Sequence, residues 1–304
     1  MPWFLIALAA PLIYAVVNQT DKYFISRHFS GRGTGALIII AATFNIVALP
    51  IIYWLVGGVI ALPFFQALAL GINGIFTILA VLLYLYALQE EEASVVTPFF
   101  QTVPLLAFAL GYLILGETLT LVEALGCFLV VIGTMILSFE IKHRGKFKFK
   151  WRLVLLMLGS ALALAINAVI FKLIAVEAGF LVSIFWDFTG KTVFGFLLFI
   201  LVGSYRREFI ASAAVNRRLI FCLILLTQLV TILADFIASY AVLLAPVAIV
   251  SAVLGLQPLF VFLYGVILTI FFPWFIKESF NRRELIQKIA AIILVIVGGW
   301  LIGG

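Results

Sequence analysis

The sequence predicts an all-α integral membrane protein whose ten transmembrane helices form two inverted five-helix repeats. Three observations carry this. Of 304 residues, 66% are hydrophobic and 11% charged, against about 25% charged in soluble domains. No globular core buries that much apolar surface, so the solvent for most of the chain is lipid, where a spanning helix needs about 20 apolar residues. Second, Thr77-Ile78-Leu79-Ala80 recurs 154 residues later as Thr231-Ile232-Leu233-Ala234. The same ungapped register aligns Tyr86 with Tyr240, Pro104 with Pro258 and Gly111 with Gly265, the internal repetition that decides a fold before any local reading. Third, five apolar stretches precede the basic run 142–152 and five follow it. An odd number of spans inserts the second copy upside down, the inverted-repeat architecture of many secondary transporters.

The spans read 3–20, 35–56, 64–88, 94–115 and 119–139, then 153–174, 180–203, 219–243, 246–271 and 285–302. The first repeat is therefore 1–141, the basic linker 142–152 and the second repeat 153–304. Span 1 lacks a basic leader and is read as a retained helix. Gly31-Arg32-Gly33 closes the first connection, Gly57-Gly58 the second, Glu90-Glu91-Glu92 the third and Gly116-Glu117 the fourth. In the second repeat the breaks fall at Glu177–Gly179, Arg206–Arg218, Ala245-Pro246 and Pro273–Glu284. Connections this short make neighbouring helices antiparallel.

The loops joining spans 1–2, 3–4, 5–6, 7–8 and 9–10 hold 17 of the 19 Lys and Arg residues. Basic loops stay cytoplasmic, so 142–152, 206–218 and 277–288 are expected inside the cell and both termini outside. The net charge of +6 thus reflects topology, and no nucleic-acid partner is expected. Cys127 and Cys222 lie in apolar runs as core filler.

Ionisable groups inside spans are costly and usually face a bundle interior or a watery pathway. Asp187 and Lys191 in span 7 stand at i, i+4 on one helix face, beside Trp186. They serve either as substrate contacts or as a structural pair. Asp235 is a lone carboxylate in span 8, a candidate for proton coupling or for the counter-ion of Lys191 or Lys172. Asn18 and Asn167 occupy similar places in spans 1 and 6, and aligning Leu55-Val56-Gly57 with Leu201-Val202-Gly203 sets Asn45 opposite Lys191. Such amides bind substrate or join helices. Pro98, Gln101 and Pro104 in span 4, with Gln257 and Pro258 in span 9, mark helix breaks that free carbonyls where a cavity or neighbour receives them. Tyr84, Tyr240 and Trp186 are candidate cavity walls. No phosphate cradle, metal-ligand cluster or catalytic constellation stands at helical spacing. No enzyme activity, cofactor or metal is expected.

Tyr84 to Thr120 reads YLYALQEEEASVVTPFFQTVPLLAFALGYLILGETLT, with Gly126 and Gly133 in the next span. The Tyr-x-x-Ala-Leu lead-in, the Ala-Ser after a short loop, the span-4 proline and Gly116-Glu117 resemble the EamA-type unit of the drug/metabolite transporter superfamily. The second copy keeps Tyr240-Ala241, Pro258 and Gly265, but has Phe271-Phe272-Pro273 in place of Gly-Glu. The resemblance implies two EamA-like units with spans 1–4 and 6–9 around a central cavity and spans 5 and 10 peripheral. It implies an exporter or exchanger of amino acids, drugs or other small metabolites. Members of this type are described with cytoplasmic termini, whereas the Lys and Arg distribution here places them outside.

The expected function is secondary-active transport of a small polar or amphipathic metabolite across the cell membrane, by alternating access around a midplane cavity. The partners are the solute, the lipid bilayer and a proton as coupling ion. Two alternatives remain open: a flippase for a lipid-linked sugar or other lipid, and a non-transport scaffold or sensor with a packed, dry interior.

Overall fold

In the computed structural model the described residues are 2–28, 34–90, 96–138, 151–213, 218–271 and 282–303. Parts of the expected basic loops (142–150, 214–217 and 277–281), together with Gly31-Arg32-Gly33 and Glu91-Glu92, lie outside them. All regular structure among the described residues is helical, as lipid demands: a helix satisfies its backbone polar groups within the segment.

The first half contains α1 (Pro2–His28), α2 (Thr34–Thr43), α3 (Ala48–Leu55), α4 (Phe64–Glu90), α5 (Val103–Leu110) and α6 (Leu121–Ser138). The second contains α7 (Trp151–Ala178), α8 (Phe180–Leu201), α9 (Gly203–Ala213), α10 (Arg218–Leu244), α11 (Val247–Leu254), α12 (Gln257–Phe271) and α13 (Arg282–Gly303). Among the described residues seven stretches are long and apolar enough to cross a membrane: Thr34–Leu55, Phe64–Glu90, Thr97–Leu115, Trp151–Ala178, Phe180–Leu201, Leu225–Leu244 and Val247–Ile267. Three shorter apolar helices, Pro2–Asn18, Leu121–Leu137 and Ile286–Ile302, stand where the sequence places spans 1, 5 and 10.

Three of the spans are interrupted, each for a local reason. Between α2 and α3 the chain tightens into a 3₁₀ turn, Phe44–Val47, and the Asn45 side-chain amide donates back to the carbonyls of Ala41 and Ala42. Span 4 begins as a 3₁₀ segment, Thr97–Thr102, becomes α-helical over α5 and ends in a π-helical turn, Gly111–Leu115. Pro98 and Pro104 cannot donate to the preceding turn, so neither segment continues the other's α-helix. Gly116 adopts a φ of 69°, open to glycine at little cost, and turns the chain toward α6. There Thr120 and Glu123 form a reciprocal capping box, the Glu123 carboxylate accepting from Thr120 N at 2.8 Å and Thr120 Oγ1 accepting from Glu123 N at 3.2 Å. Span 9 breaks at Gly255-Leu256, between α11 and α12.

The two halves interleave. α1 packs on α10 and α12, α4 on α7 and α8, and α5 on α7 and α11, while α2 lies on α8 and α6 on α13. Small residues set the closest approaches, as expected where hydrophobicity cannot drive helices together in lipid. A side chain at Gly298 would meet the Gly126 carbonyl at 2.7 Å, and one at Gly133 would meet that of Ala291 at 2.9 Å.

The connections sort onto two faces. Val56, Leu62, Ala178, Phe180 and Leu243 share one apolar cluster, and Glu117 reaches the start of α11, so the four short connections lie together. On the opposite face Arg152 pairs with Glu90 at 2.9 Å, Gln89 donates to Thr34, and the Glu208 carboxylate accepts from Gly35 N at 2.8 Å. The described helix ends that flank the first, third, fifth and seventh connections lie on this second face.

Candidate functional site

The apolar bundle encloses a cluster of charged and polar side chains. Asp187 and Lys191 project from one face of α8 and are 2% and 3% exposed. The Lys191 ammonium sits between two carboxylates, 3.3 Å from Asp187 Oδ2 and 3.0 Å from Asp235 Oδ2 on α10. The Tyr14 hydroxyl of α1 donates to the other oxygen of Asp235. On the far side, Asn73 of α4 donates to Asp187 Oδ1 at 2.9 Å. Asn167 of α7 donates to the Asn73 carbonyl at 3.0 Å and lies 3.5 Å from Asp187 Oδ1. Lys191 Nζ also rests 4.7 Å from the centre of the Phe188 ring. Five helices, two from the first half and three from the second, thus supply one connected network.

Its charge does not balance. Two carboxylates face one ammonium, so with all three ionised the cluster carries one excess negative charge in a medium where unpaired charge is expensive. Several buried polar atoms around it also lack partners among the described residues: Asn73 Oδ1, Thr77 Oγ1, Ser183 Oγ and Thr192 Oγ1. Ser183, Asp187 and Lys191 repeat every four residues along α8, and Asn73 and Thr77 do so along α4, so Ser183 and Thr77 continue the polar stripes of the network while Thr192 adjoins Lys191. Buried polar groups are normally paired.

The other sequence candidates separate. Gln101 is 3% exposed and joins helices: its amide donates to the Gly255 carbonyl at 3.2 Å and its oxygen accepts from Thr134 at 2.7 Å. Gly255 is the residue equivalent to Gln101 under the 154-residue offset. Trp186 donates to the Ile60 carbonyl at 2.9 Å, tying α8 to the second connection. Tyr84 packs at a tilt on Phe100, ring centres 5.1 Å apart, and Tyr240, 40% exposed, packs on Phe180 at 5.1 Å. Asn18 is exposed on α1, and Gln257 and Pro258 are half-buried. Pro98 and Pro104 are buried at the two ends of the 3₁₀ segment. Asn45 keeps a buried, unpartnered Oδ1. Lys172 bonds Glu117, not Asp235. Cavities of about 320 and 310 Å³ lie elsewhere, one beside Trp3 and Pro246, the other at Ile46, Pro50 and Phe185. Neither touches the charge cluster, in which the Asp187 and Lys191 side chains are buried and that of Asp235 is 19% exposed.

Sequence reasoning missed Tyr14, Asn73 and Glu117. Asn73 left a trace, an amide between Gly71 and Gly74 inside an apolar span; Tyr14 left none among nine tyrosines.

The comparisons agree with this architecture. The model of the EamA-like transporter family matches residues 1–139. A solved crystal structure resembles the chain with a TM-score of 0.67 at 18% identity, covering 99% of this chain and 96% of that one, a likeness of fold. An uncharacterized protein of Methanocaldococcus jannaschii is 39% identical over 67 residues, 22% of this chain, and the chain spans about half, 49%, of that relative's length. The chain is therefore a multi-pass membrane protein whose residues 1–139 are similar to the EamA-like transporter family.

Proposed function

We propose that the chain is a secondary-active transporter that exports a small polar or amphipathic metabolite, such as an amino acid, by alternating access around the Asp187–Lys191–Asp235 cluster. In this reading all ten apolar helices cross the membrane, as two inverted repeats (1–141 and 153–304) joined by the basic linker 142–152. The basic face is cytoplasmic. The observation that carries the reading is the cluster itself: a buried network drawn from both halves, in which two carboxylates face one ammonium. A scaffold's interior would gain nothing from that imbalance, whereas a transporter uses it to take up a proton or a cationic group on the solute. Asp187 and Lys191 offer both signs to a zwitterion. The helix pairing supports the repeats. The α1–α10 and α7–α4 contacts exchange under the two-fold, as do α1–α12 and α7–α5, and Gln101 touches its own equivalent, as self-complementary contacts do near such an axis.

The test is thermal stabilisation of the purified protein across a metabolite panel at two pH values, since a ligand bound only to the folded state raises stability by mass action, by about 2.7 kcal/mol at a hundredfold excess over Kd. A response to an amino acid that Asp187→Asn abolishes supports the reading. Silence from soluble compounds with stabilisation by an isoprenoid-phosphate lipid replaces it with the flippase. Asp235→Asn, which keeps the side chain's shape and removes its charge, is expected to abolish the pH dependence of ligand stabilisation while the folded protein is retained. An unchanged pH dependence removes Asp235 from coupling.

A further inference from the structure

α9 does not prolong α8. Val202, the residue between them, leaves the helical region with φ −100° and ψ 89°, and the chain turns there. The Phe199 and Phe209 rings lie 5.6 Å apart, edge to face, although residues ten apart on one straight helix are separated by about 15 Å along its axis. Tyr205 and Phe209 pack against the buried cluster of Ile38, Ile39, Ile78 and Leu198. α9 is therefore folded against the flank of the bundle.

Its partners fix its depth. Gly35, the second residue of α2, lies so close that a side chain there would meet the Tyr205 Cα at 2.7 Å, and Gly35 N donates to the Glu208 carboxylate. The Tyr205 and Tyr86 hydroxyls share a hydrogen bond, four residues before the end of α4. α8 has 22 residues, about 33 Å, little more than the roughly 30 Å hydrocarbon layer. α9 thus begins where the headgroups begin. Tyr205, Glu208 and Phe209, at i, i+3 and i+4, are partly buried, whereas Arg206, Arg207, Ile210 and Ala211 are exposed. With Glu208 committed to Gly35, the outer face carries two positive charges and no acid. Neither arginine has an ion-pair or hydrogen-bond partner among the described residues. Apolar side chains surround the charges: Ile210 is 56% exposed, and Ile200 and Leu201, in the last turn of α8, are 62% and 74% exposed.

We propose that α9 lies in the membrane plane and binds the phosphate groups of anionic phospholipids in the leaflet on this face, through Arg206 and Arg207, with Ile210 set between the headgroups. Two free guanidiniums are costly in hydrocarbon, and an exposed isoleucine beside them gains nothing from water; the headgroup boundary satisfies both, as for other interfacial helices. The planar fork of each arginine matches phosphate oxygens, and attraction to an anionic surface adds to it. Because Glu208 and Tyr205 hold α9 to the start of α2 and to α4, lipid bound on the outer face steadies the ends of two spans. The proposal needs only a chain that crosses the membrane and is independent of the transport reading.

The experiment titrates the detergent-purified full chain with phosphatidylglycerol and, separately, with phosphatidylcholine, counting retained lipid by native mass spectrometry. Phosphatidylglycerol is expected to bind more tightly. Arg206→Gln and Arg207→Gln should each weaken it about fivefold, and together about 25-fold, with phosphatidylcholine unchanged; both positions are exposed, so the fold is kept. Lys146→Gln with Lys148→Gln removes the same charge from the basic linker and is expected to leave most of the binding. Equal loss in that control, or binding indifferent to both arginines, overturns the site and leaves the general attraction of a basic face. Displacement of the lipid by inorganic phosphate, and not by chloride at the same ionic strength, overturns the headgroup assignment in favour of a soluble anion. The in-plane placement is read in phosphatidylglycerol nanodiscs from Ile210→Cys carrying an environment-sensitive fluorophore, in a chain whose two native cysteines are replaced by serine. Blue-shifted emission is expected, and emission as in water overturns the placement.

Discussion

Lys191→Ala will destabilise the purified protein by about 3–5 kcal/mol, the cost of removing one partner from a buried ion pair, measured by unfolding in detergent. The substitution leaves Asp187 and Asp235 facing one another without the ammonium that lies 3.3 and 3.0 Å from them. It also removes the ammonium that lies 4.7 Å from the centre of the buried Phe188 ring. Charge is separable from packing. The triple variant Asp187→Asn, Asp235→Asn, Lys191→Met has no ionised group left and similar side-chain volumes. Neutral replacements of buried ion pairs are often no less stable than the charges they replace, so this variant is expected to recover most of the loss. The two readings of the cluster then part. A structural pair predicts that the neutral variant behaves as wild type in every assay. A transport site predicts that it recovers stability and loses ligand-induced stabilisation, because the charges remained for what they bind and not for what they hold together.

The class of fold was legible because it follows from quantities a sequence states directly. Apolar length predicts helices in lipid, and all regular structure among the described residues is helical; α4 and α10 carry the Thr77 and Thr231 sequences at corresponding places. Asp187 and Lys191 were legible for the same reason, as charges four apart on one helical face. The identity of their partners was not. Whether Asp235 answers Lys191 or Lys172 depends on how α10 is rotated against α8 and α7, which apolar sequence hardly constrains, and the structure gives it to Lys191 at 3.0 Å. Tyr14 and Asn73 enter the network only because α1 and α4 turn those residues inward. Gln101 shows the converse. Its place beside Pro98 and Pro104 makes a cavity position and a helix joint look alike, and only the three-dimensional neighbours Thr134 and Gly255 identify the joint. Glu117 was visible as half of a Gly-Glu pair, but its two partners lie 55 and 130 residues away.

Gly190→Ala will cost about 3 kcal/mol, the upper end of the range for forcing one methyl group into a packed interface. The new carbon would lie 1.9 Å from the Gly71 carbonyl oxygen and 2.6 Å from its carbon. Those are backbone atoms of α4, so no rotamer change relieves the clash and the two helices must move apart. Gly74→Ala meets the same obstacle from the other helix, 2.1 Å from the Asp187 carbonyl oxygen. Two controls isolate the cause. A side chain at Gly71 meets nothing within 4 Å, and one at Gly159 meets only the Leu83 methyl at 3.2 Å. Gly71→Ala and Gly159→Ala are therefore expected to lie within about 1 kcal/mol of wild type, with the alanine's better helix propensity working in their favour. If all four substitutions cost the same, helix propensity or lipid contact governs the response and the close crossing does not. If Gly190 and Gly74 alone respond, the separation they force also displaces Asp187, whose carbonyl lies in the crossing and whose carboxylate holds Lys191. A single methyl group at the crossing would then weaken ligand stabilisation as well as stability, linking the packing of α4 on α8 to the charge cluster through one turn of α8.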